Sequence, residues 1–524
     1  MAWTDLMDLD ALGPKGKAVV RRAGRQILVM QTGEGLRACA NRCPHQGYPL
    51  SEGVLGADCV LTCNWHNWKF DLTTGKALGG RDRLRVFPVR VAEGRVWIDL
   101  KPEDPAERRA RALNGLREAL EREDQERIVR EAARLMRLPG DPARAVAEAL
   151  TWAAERLEFG TTHAVAGAPD WLALMDRRDL KPVERLAALG EVLGHIADDA
   201  HFGGRSPFAP GERPWDEKAF LRAVETEDEA AAVGFIRGAL SEGRAARDLL
   251  PALATAALSH YADFGHSLIY ALKTVALIER LGAHTSQMLL SLLARSLVYA
   301  TREDLLPEFR DYAAQLDDWG GAAKSTPPLA ASSLRRLSAR RAMQAVRAWG
   351  SRHPPEAIFE VLAEAAAWSL LHADEAQFVR AQGKLADNVT WLAFTHPLTF
   401  ADAAVTAARL RPELWPAILL QLACFIGRNS AYVDAALHVS PFAVDDPAAY
   451  RDAATRRLFD HGHDRFIISV HYVKTLAAAN ALAGLFPEAA PTLNAAMNRF
   501  LNAPFKRRHV LRTARQMMDF VAQE

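Results

Sequence analysis

Four metal-binding side chains sit in two short runs, Cys43-Pro44-His45-Gln46-Gly47 and Cys63-Asn64-Trp65-His66. Seventeen residues separate His45 from Cys63. Each run is followed by a turn, so the pattern asks for two loops that meet at one point. Two thiolates with two imidazoles suit two kinds of centre. Tetrahedral zinc accepts Cys2His2. A [2Fe–2S] cluster can place two thiolates on one iron and two neutral imidazoles on the other, and the loss of two negative ligands raises its potential.

The flanks favour the cluster over zinc. Short alternating runs at Ala18–Arg21, Arg25–Gln31, Leu36–Ala40, Val60–Thr62, Lys69–Asp71, Leu84–Arg90 and Arg95–Asp99 predict strands. Gly24, Gly33-Glu34-Gly35, Gly75 and Glu93-Gly94 mark turns between them. A small antiparallel β domain is therefore expected over residues 1–102. It resembles Rieske ferredoxin domains. The likeness is carried by Leu50-Ser51-x-Gly53 after the first loop and by Phe70-Asp71-x-x-Thr74-Gly75 after the second. Phe87-Pro88-Val89 and Gly94-x-Val96-Trp97-Ile98 extend it. The resemblance implies that Cys43, His45, Cys63 and His66 hold a [2Fe–2S] cluster. High-potential members join their loops by a disulfide at positions that are Tyr48 and Trp65 here. That implies the disulfide-free type, near the low end of the roughly −150 to +300 mV Rieske span. Asn67 stands where the family usually has glycine, and Asn is the next residue most tolerant of left-handed backbone. Trp65 and Trp68 flank His66, where they either shield the cluster or shape a docking surface. Cys39 and Cys59 read as small buried hydrophobes.

With 524 residues and 49% hydrophobic content, the chain can build two to four cored domains. A formal charge of +1 gives no global field for nucleic acid or membrane. No charged-then-apolar leader and no apolar run of about 18 residues are seen. Outside the ligand loops, Cys39, Cys59 and Cys424 show no disulfide spacing, as expected for a reducing cytoplasm.

Lys101-Pro102-Glu103-Asp104-Pro105 ends the β pattern. Residues 103–139 read as a charged helical linker, and 140–524 as an all-α domain rich in Ala, Leu, Arg and Glu. The expected class is thus multidomain: antiparallel all-β, then all-α. Helices are predicted over Ala245–Leu281, Asp374–Phe394 and Asp464–Gly484 among others, with no strict repeat. No dinucleotide fingerprint, P-loop or nucleophile turn is present. Electrons must then come from an external ferredoxin or NAD(P)H-dependent reductase. Lys506-Arg507-Arg508-His509 could dock an acidic ferredoxin or be a solvated turn.

All histidines but His45 and His66 lie in the helical part. His260, Asp263 and His266 recur every third residue, and Tyr270 extends the stripe. Glu191, His195 and Asp199 recur every fourth, with His201 beyond. Carboxylate and imidazole donors on one helix face suit bundle iron sites. His471 faces inward by periodicity, and His163, His372 and His396 fall near helix ends. Each also reads as a hydrogen-bonded core residue. Asp263-Phe264-Gly265-His266 starts like the iron signature of ring-hydroxylating Rieske oxygenases. Ala271 replaces its second His and the helical composition conflicts with that fold, so membership is rejected.

Segments 260–271 and 459–471, with Thr395-His396-Pro397-Leu398-Thr399-Phe400, resemble the questin oxidase-like family of all-helical proteins. That likeness implies an O2-dependent, Baeyer–Villiger-type oxygenase with His260, His266, His396 and His471 lining its site. The expected enzyme is a Rieske-dependent monooxygenase or oxidase. Its mono- or dinuclear non-haem iron would be drawn from His195, Asp199, His201, His260, His266, His396 and His471. His260, Asp263, His266 and Tyr270 are the catalytic candidates, and a small organic molecule the substrate. The alternative is a non-catalytic electron carrier whose helical domain docks a partner oxygenase. In a homo-oligomer, one chain's cluster could serve a neighbour's acceptor.

Overall fold

In a computed structural model, the described residues are 3–79, 82–201, 203–323, 325–379, 388–505 and 510–521. Two compact units divide between Gly115 and Leu116. The N-terminal unit holds three antiparallel sheets. One pairs Trp3–Asp8, Arg95–Asp99 and Val89–Ala92, and a second runs Lys17–Arg22, Arg25–Thr32, Gly35–Ala40, Val86–Phe87. The third, Val54–Leu55, Val60–Thr62 and Lys69–Asp71, carries the second ligand loop between its last two strands.

The Arg25–Thr32 strand explains why this unit has two cores. Ile27, Leu28, Val29 and Met30 are all buried. Successive side chains of a strand point to opposite faces. Leu28 and Met30 therefore join Cys39, Leu50, Leu61 and Phe70 beneath the ligand loops. Ile27 and Val29 join Leu6, Ala38, Phe87, Val96 and Ile98 on the other side.

The second unit is helical. Among the described residues, it contains no named strand. The stretch expected to link the domains is divided by the unit boundary. Its later part, Gln125–Met136, packs on the Pro182–His201 helix and buries Ile128, Ala132 and Leu135. It belongs to the helical body rather than to a linker, because its apolar stripe has a partner.

Four helices form a closed ring in which each packs on the next. They are His163–Asp176, His266–Leu281, Trp391–Leu410 and Phe466–Leu485. They are called here the His163, His266, His396 and His471 helices. Gly167 lets the first and last approach closely: a Cβ there would lie 2.0 Å from Val470 Cγ2. The His471 helix is long and apolar enough to cross a membrane by composition, but 61% of that window is buried inside this unit. It is a core helix.

Two expected helices are broken. Ala245–Leu281 divides into Ala246–Leu258 and His266–Leu281. Between them Asp263, Phe264 and Gly265 take φ of 50°, 45° and 78°. Left-handed backbone cannot continue a right-handed helix. Asp374–Phe394 resolves into Glu375–Phe378 and the start of the His396 helix, among the described residues. Lys506-Arg507-Arg508-His509 lies outside the described residues.

Candidate metal centres

The two Cys/His loops are built alike. Cys43 N–H donates to Tyr48 O (2.8 Å) and Gly47 N–H to Cys43 O (2.8 Å). Cys63 N–H donates to Trp68 O (2.7 Å) and Asn67 N–H to Cys63 O (3.0 Å). Gly47 and Asn67 occupy the same place in each loop, with φ of 78° and 59°. Asn67 thus adopts the left-handed turn that its position demands.

The donor set fits a cluster. Cys43 and Cys63 are buried free thiols. Burial first, and the facing Cys63 second among the raising causes, push the Cys43 thiol up to about 11. Two sulfurs so placed gain from a cation that takes their charge. The His45 and His66 rings meet edge-on with centroids 4.9 Å apart. Trp68 stacks on His45 (4.7 Å), so it shields the first loop's ligand rather than His66. Trp65 is 61% exposed beside His66 and packs edge-on against Tyr48 at 5.2 Å. An aromatic contact thus bridges the loops where high-potential members have a disulfide. Cys39, pushed to about 12 by burial, is an inert core thiol.

In the helical unit each ring helix contributes one histidine. The ligand nitrogens of His163, His396 and His471 lie within 4.8 Å of one another. His266 joins them, its Nε2 3.0 Å from His163 Nε2, and His396 Nε2 is 3.0 Å from His471 Nε2. His266 and His396 ring centroids are 4.4 Å apart. His471 and His266 are buried, and His163 and His396 keep little exposed surface. Burial is the first cause holding His163, His396 and His471 well below the usual imidazole range, so they are neutral at pH 7. Neutral imidazole is the metal-binding form.

Backbone carbonyls fix two of the four tautomers. His471 Nδ1–H donates to Ile467 O (2.6 Å) and His266 Nδ1–H to Asp263 O (2.5 Å). Each leaves an Nε2 lone pair aimed into the cluster, the orientation that metal-binding histidines take from such partners. Two nitrogens bound at right angles to one ion, about 2.1 Å away, would stand about 3.0 Å apart. The spacing of both Nε2 pairs therefore fits shared coordination. It also fits an N–H···N bond in the metal-free protein, with Tyr270 O–H donating to His163 Nδ1 (3.3 Å).

Each histidine is held by surrounding structure. Asp199 on the Pro182–His201 helix accepts from Ala164 N (3.2 Å), capping the helix that starts at His163. Burial would raise the Asp199 carboxyl, but His195, Thr162 and that N–H overturn it and the pKa is lowered. Pro397 follows His396 inside its helix and cannot donate to the carbonyl four residues back. That carbonyl, Ala393 O, is instead satisfied by Asn429 Nδ2 at 2.9 Å. The left-handed run before His266 is pinned by Asp263 N–H to Thr301 O (2.7 Å) and Phe264 N–H to Glu303 (3.2 Å). Strain of about 1–3 kcal/mol per such residue persists only where surroundings enforce it.

The residues expected from the sequence separate into two groups. His266, Tyr270, His396 and His471 come together. The side chains of His260, Asp263, His195, Asp199 and His201 do not join the four-histidine cluster. His260 lies in the break between helices and pairs with Asp304 (2.8 Å) and Glu225 (2.9 Å), which raise its pKa. Asp263 contributes its carbonyl, while its carboxylate is 41% exposed. His195 pairs with Asp199 (3.5 Å) and stacks on Phe466, a supporting layer. His201 is a half-exposed partner of Glu123. Sequence reasoning left His163 outside the ligand set. It is the first residue of its helix, so periodicity could not place it.

Lys474, one turn beyond His471, is 1% exposed and its Nζ has no hydrogen-bond partner among the described residues. Burial drops it to about 7, against an opposing pull from Asp170. Asp170 itself binds Lys273 at 2.7 Å.

Comparison with known proteins addresses the N-terminal unit. Residues 2–88 match the family model described as the Rieske [2Fe-2S] domain. The methanesulfonate monooxygenase ferredoxin subunit of Methylosulfonomonas methylovora is 32% identical over 20% of this chain and 85% of its own length. The 3-phenylpropionate/cinnamic acid dioxygenase ferredoxin subunit of Escherichia coli (strain K12) is 35% identical, over 18% and 89%. The 4beta-methylsterol monooxygenase of Methylococcus capsulatus is 37% identical over 18% of this chain and 28% of its own length. These alignments span about a fifth of the chain, and within that span the ligand loops, the split sheets and the family match agree. Through its N-terminal unit, which is an electron-transfer domain, the chain belongs to the Rieske [2Fe-2S] family.

Proposed function

We propose that the protein is an oxidoreductase in which the Rieske cluster feeds electrons to a non-haem iron site formed by His163, His266, His396 and His471, for O2-dependent oxidation of a small organic substrate. The observation that carries this reading is the convergence of four neutral imidazoles from four different helices inside the second unit. An iron bound there would accept single electrons and activate O2. Every other part of the chemistry falls to the chain. Carbonyls of Ile467 and Asp263 hold two rings in one tautomer. Asp199, with Asn429 behind Pro397, sets two helices. Tyr270, kept protonated by burial, stands as a hydrogen-bond donor against His163. Lys474 is a buried amine that can hold or release a proton near neutral pH. Electrons would come from a separate ferredoxin or NAD(P)H-dependent reductase, and the Baeyer–Villiger class implied by the questin oxidase-like resemblance belongs to this same reading.

A second reading is favoured by the ferredoxin-subunit relatives, which are separate carriers by name. There the helical unit docks a partner oxygenase and the histidines are structural. Iron analysis of the full-length protein separates the two. The oxygenase reading expects iron beyond that of the cluster, lost in His396→Ala and His471→Ala while the cluster's absorbance stays. Iron at cluster stoichiometry alone, after growth and reconstitution in excess Fe(II), sinks it.

A further inference from the structure

The His396 and His471 helices both begin on the wall of one cavity of about 510 Å3, a volume ordinary for a small-molecule site. Phe378, Trp391, Leu392, Ile467, Ile468 and Phe505 supply its apolar walls. Phe378 and Trp391 are locked edge-on at 5.5 Å and both are buried, so this wall is preformed.

Position ties the cavity to the histidines. Leu392 precedes His396 by four residues and Ile467 precedes His471 by four. Residues four apart share a helix face, one turn of about 5.4 Å along the axis. The carbonyl of Ile467 is also the group that orients His471. Leu392 and Ile467 on the cavity wall thus stand one helical turn before His396 and His471.

Charge on the wall is uneven. Arg465, an exposed residue, lines the cavity, and its guanidinium makes no ion pair or hydrogen bond among the described residues. The wall also carries Glu375, held by Arg499 at 3.2 Å, Asp464, and His463, whose Nε2 meets the Tyr472 hydroxyl at 3.0 Å. The N-termini of both helices, at Trp391 and Phe466, add positive potential at the same wall.

We propose that this cavity is the substrate chamber of the histidine site and takes an aromatic acid, its rings against Trp391, Ile467 and Phe505 and its acid oxygens on Arg465. The inference rests on reading the histidine cluster as an oxygenase centre. Guanidinium and carboxylate match in geometry as well as charge.

The test is calorimetric titration of the full-length protein with naphthoate and with the uncharged naphthalenemethanol, with iron content measured on the same samples. Naphthoate is expected to bind at one saturable site and more tightly than the alcohol. Arg465→Gln should weaken naphthoate by about tenfold or more and leave the alcohol unchanged. Ile468→Trp and Leu392→Trp, each filling the chamber, should remove binding of both. All three variants should keep wild-type iron. Absence of saturable naphthoate binding, or binding that survives both tryptophan variants, overturns the chamber. Equal binding of both probes, indifferent to Arg465→Gln, overturns the acid. Extra iron without naphthoate binding refutes this inference and leaves the oxygenase reading standing. Binding blocked by the tryptophans in a protein with cluster iron only removes the oxygenase reading, and with it the role as substrate chamber.

Discussion

The Cys43–His66 site and the four-histidine site both gather imidazoles but are assembled in opposite ways. Cys43, His45, Cys63 and His66 come from two neighbouring loops with matching backbone hydrogen bonds. Their geometry is local, set by two left-handed turns at Gly47 and Asn67. His163, His266, His396 and His471 come from four helices spread over more than three hundred residues. Their geometry depends on helix packing, on Gly167 and on Asn429. A local site should tolerate changes elsewhere and fail at its own turns. A distributed site should be sensitive to packing partners that touch no ligand.

The largest separation of the two is expected from Gly167. Gly167→Leu forces the His163 and His471 helices apart and should cost the helical unit about 3 kcal/mol or more, because a branched side chain enters a closed contact. Thermal unfolding followed by helical circular dichroism should shift strongly while the cluster's visible absorbance persists. Loss of the cluster's absorbance together with the helical signal at the lowered temperature would contradict the independence of the two sites.

Next comes Lys474. Its folded pKa of about 7 lies below the ordinary lysine value of 10.5. Between those values the unfolded chain binds a proton that the folded chain lacks, so this group makes stability rise with pH from about 7 toward 10.5. Below pH 7 the full cost of burying the charge is present. Lys474→Met should therefore stabilise the helical unit by an amount on the order of 3 kcal/mol at pH 6, a gain that shrinks as the pH is raised through 9. Denaturant titrations at both pH values check it, and a destabilised variant at pH 6 would show that the amine has a partner.

Asn429→Ala should be milder. It leaves Ala393 O without a donor beside Pro397 and should cost about 1–3 kcal/mol in the same unfolding assay, with no effect on the cluster. The smallest effect belongs to the local site. Asn67→Gly should keep the cluster and change stability by about 1 kcal/mol or less, whereas Asn67→Val, which resists positive φ, should lose cluster absorbance.

These contrasts also explain what could be read from the chain. The ligand loops were legible because spacing within about 25 residues carries the whole arrangement, and even Asn67 announced its left-handed turn. The strands followed from alternation, with Arg25–Thr32 serving two cores through the same period of two. In the helical unit, periodicity points a residue inward but does not say which inward residues meet. It therefore put His471 on an inward face but gave His163, read only as lying near a helix end, no face, because it sits at a helix start after Gly160-Thr161-Thr162. It misgrouped His260 because three left-handed residues break the assumed helix between it and His266. Gly265 was the available signal, since glycine before a histidine at that register fits a helix start better than a helix middle. Asn429 was illegible: only the folded chain places it against the carbonyl that Pro397 leaves open.

The central claim is that electrons held on the Rieske cluster leave through the four-histidine site. Stopped-flow oxidation of the chemically reduced, iron-loaded full-length protein by O2, followed at the cluster's visible band, tests it. The account predicts rapid reoxidation in the wild type and a rate at least about tenfold lower in His471→Ala, with the cluster spectrum itself unchanged. Equal rates in the two proteins would contradict it.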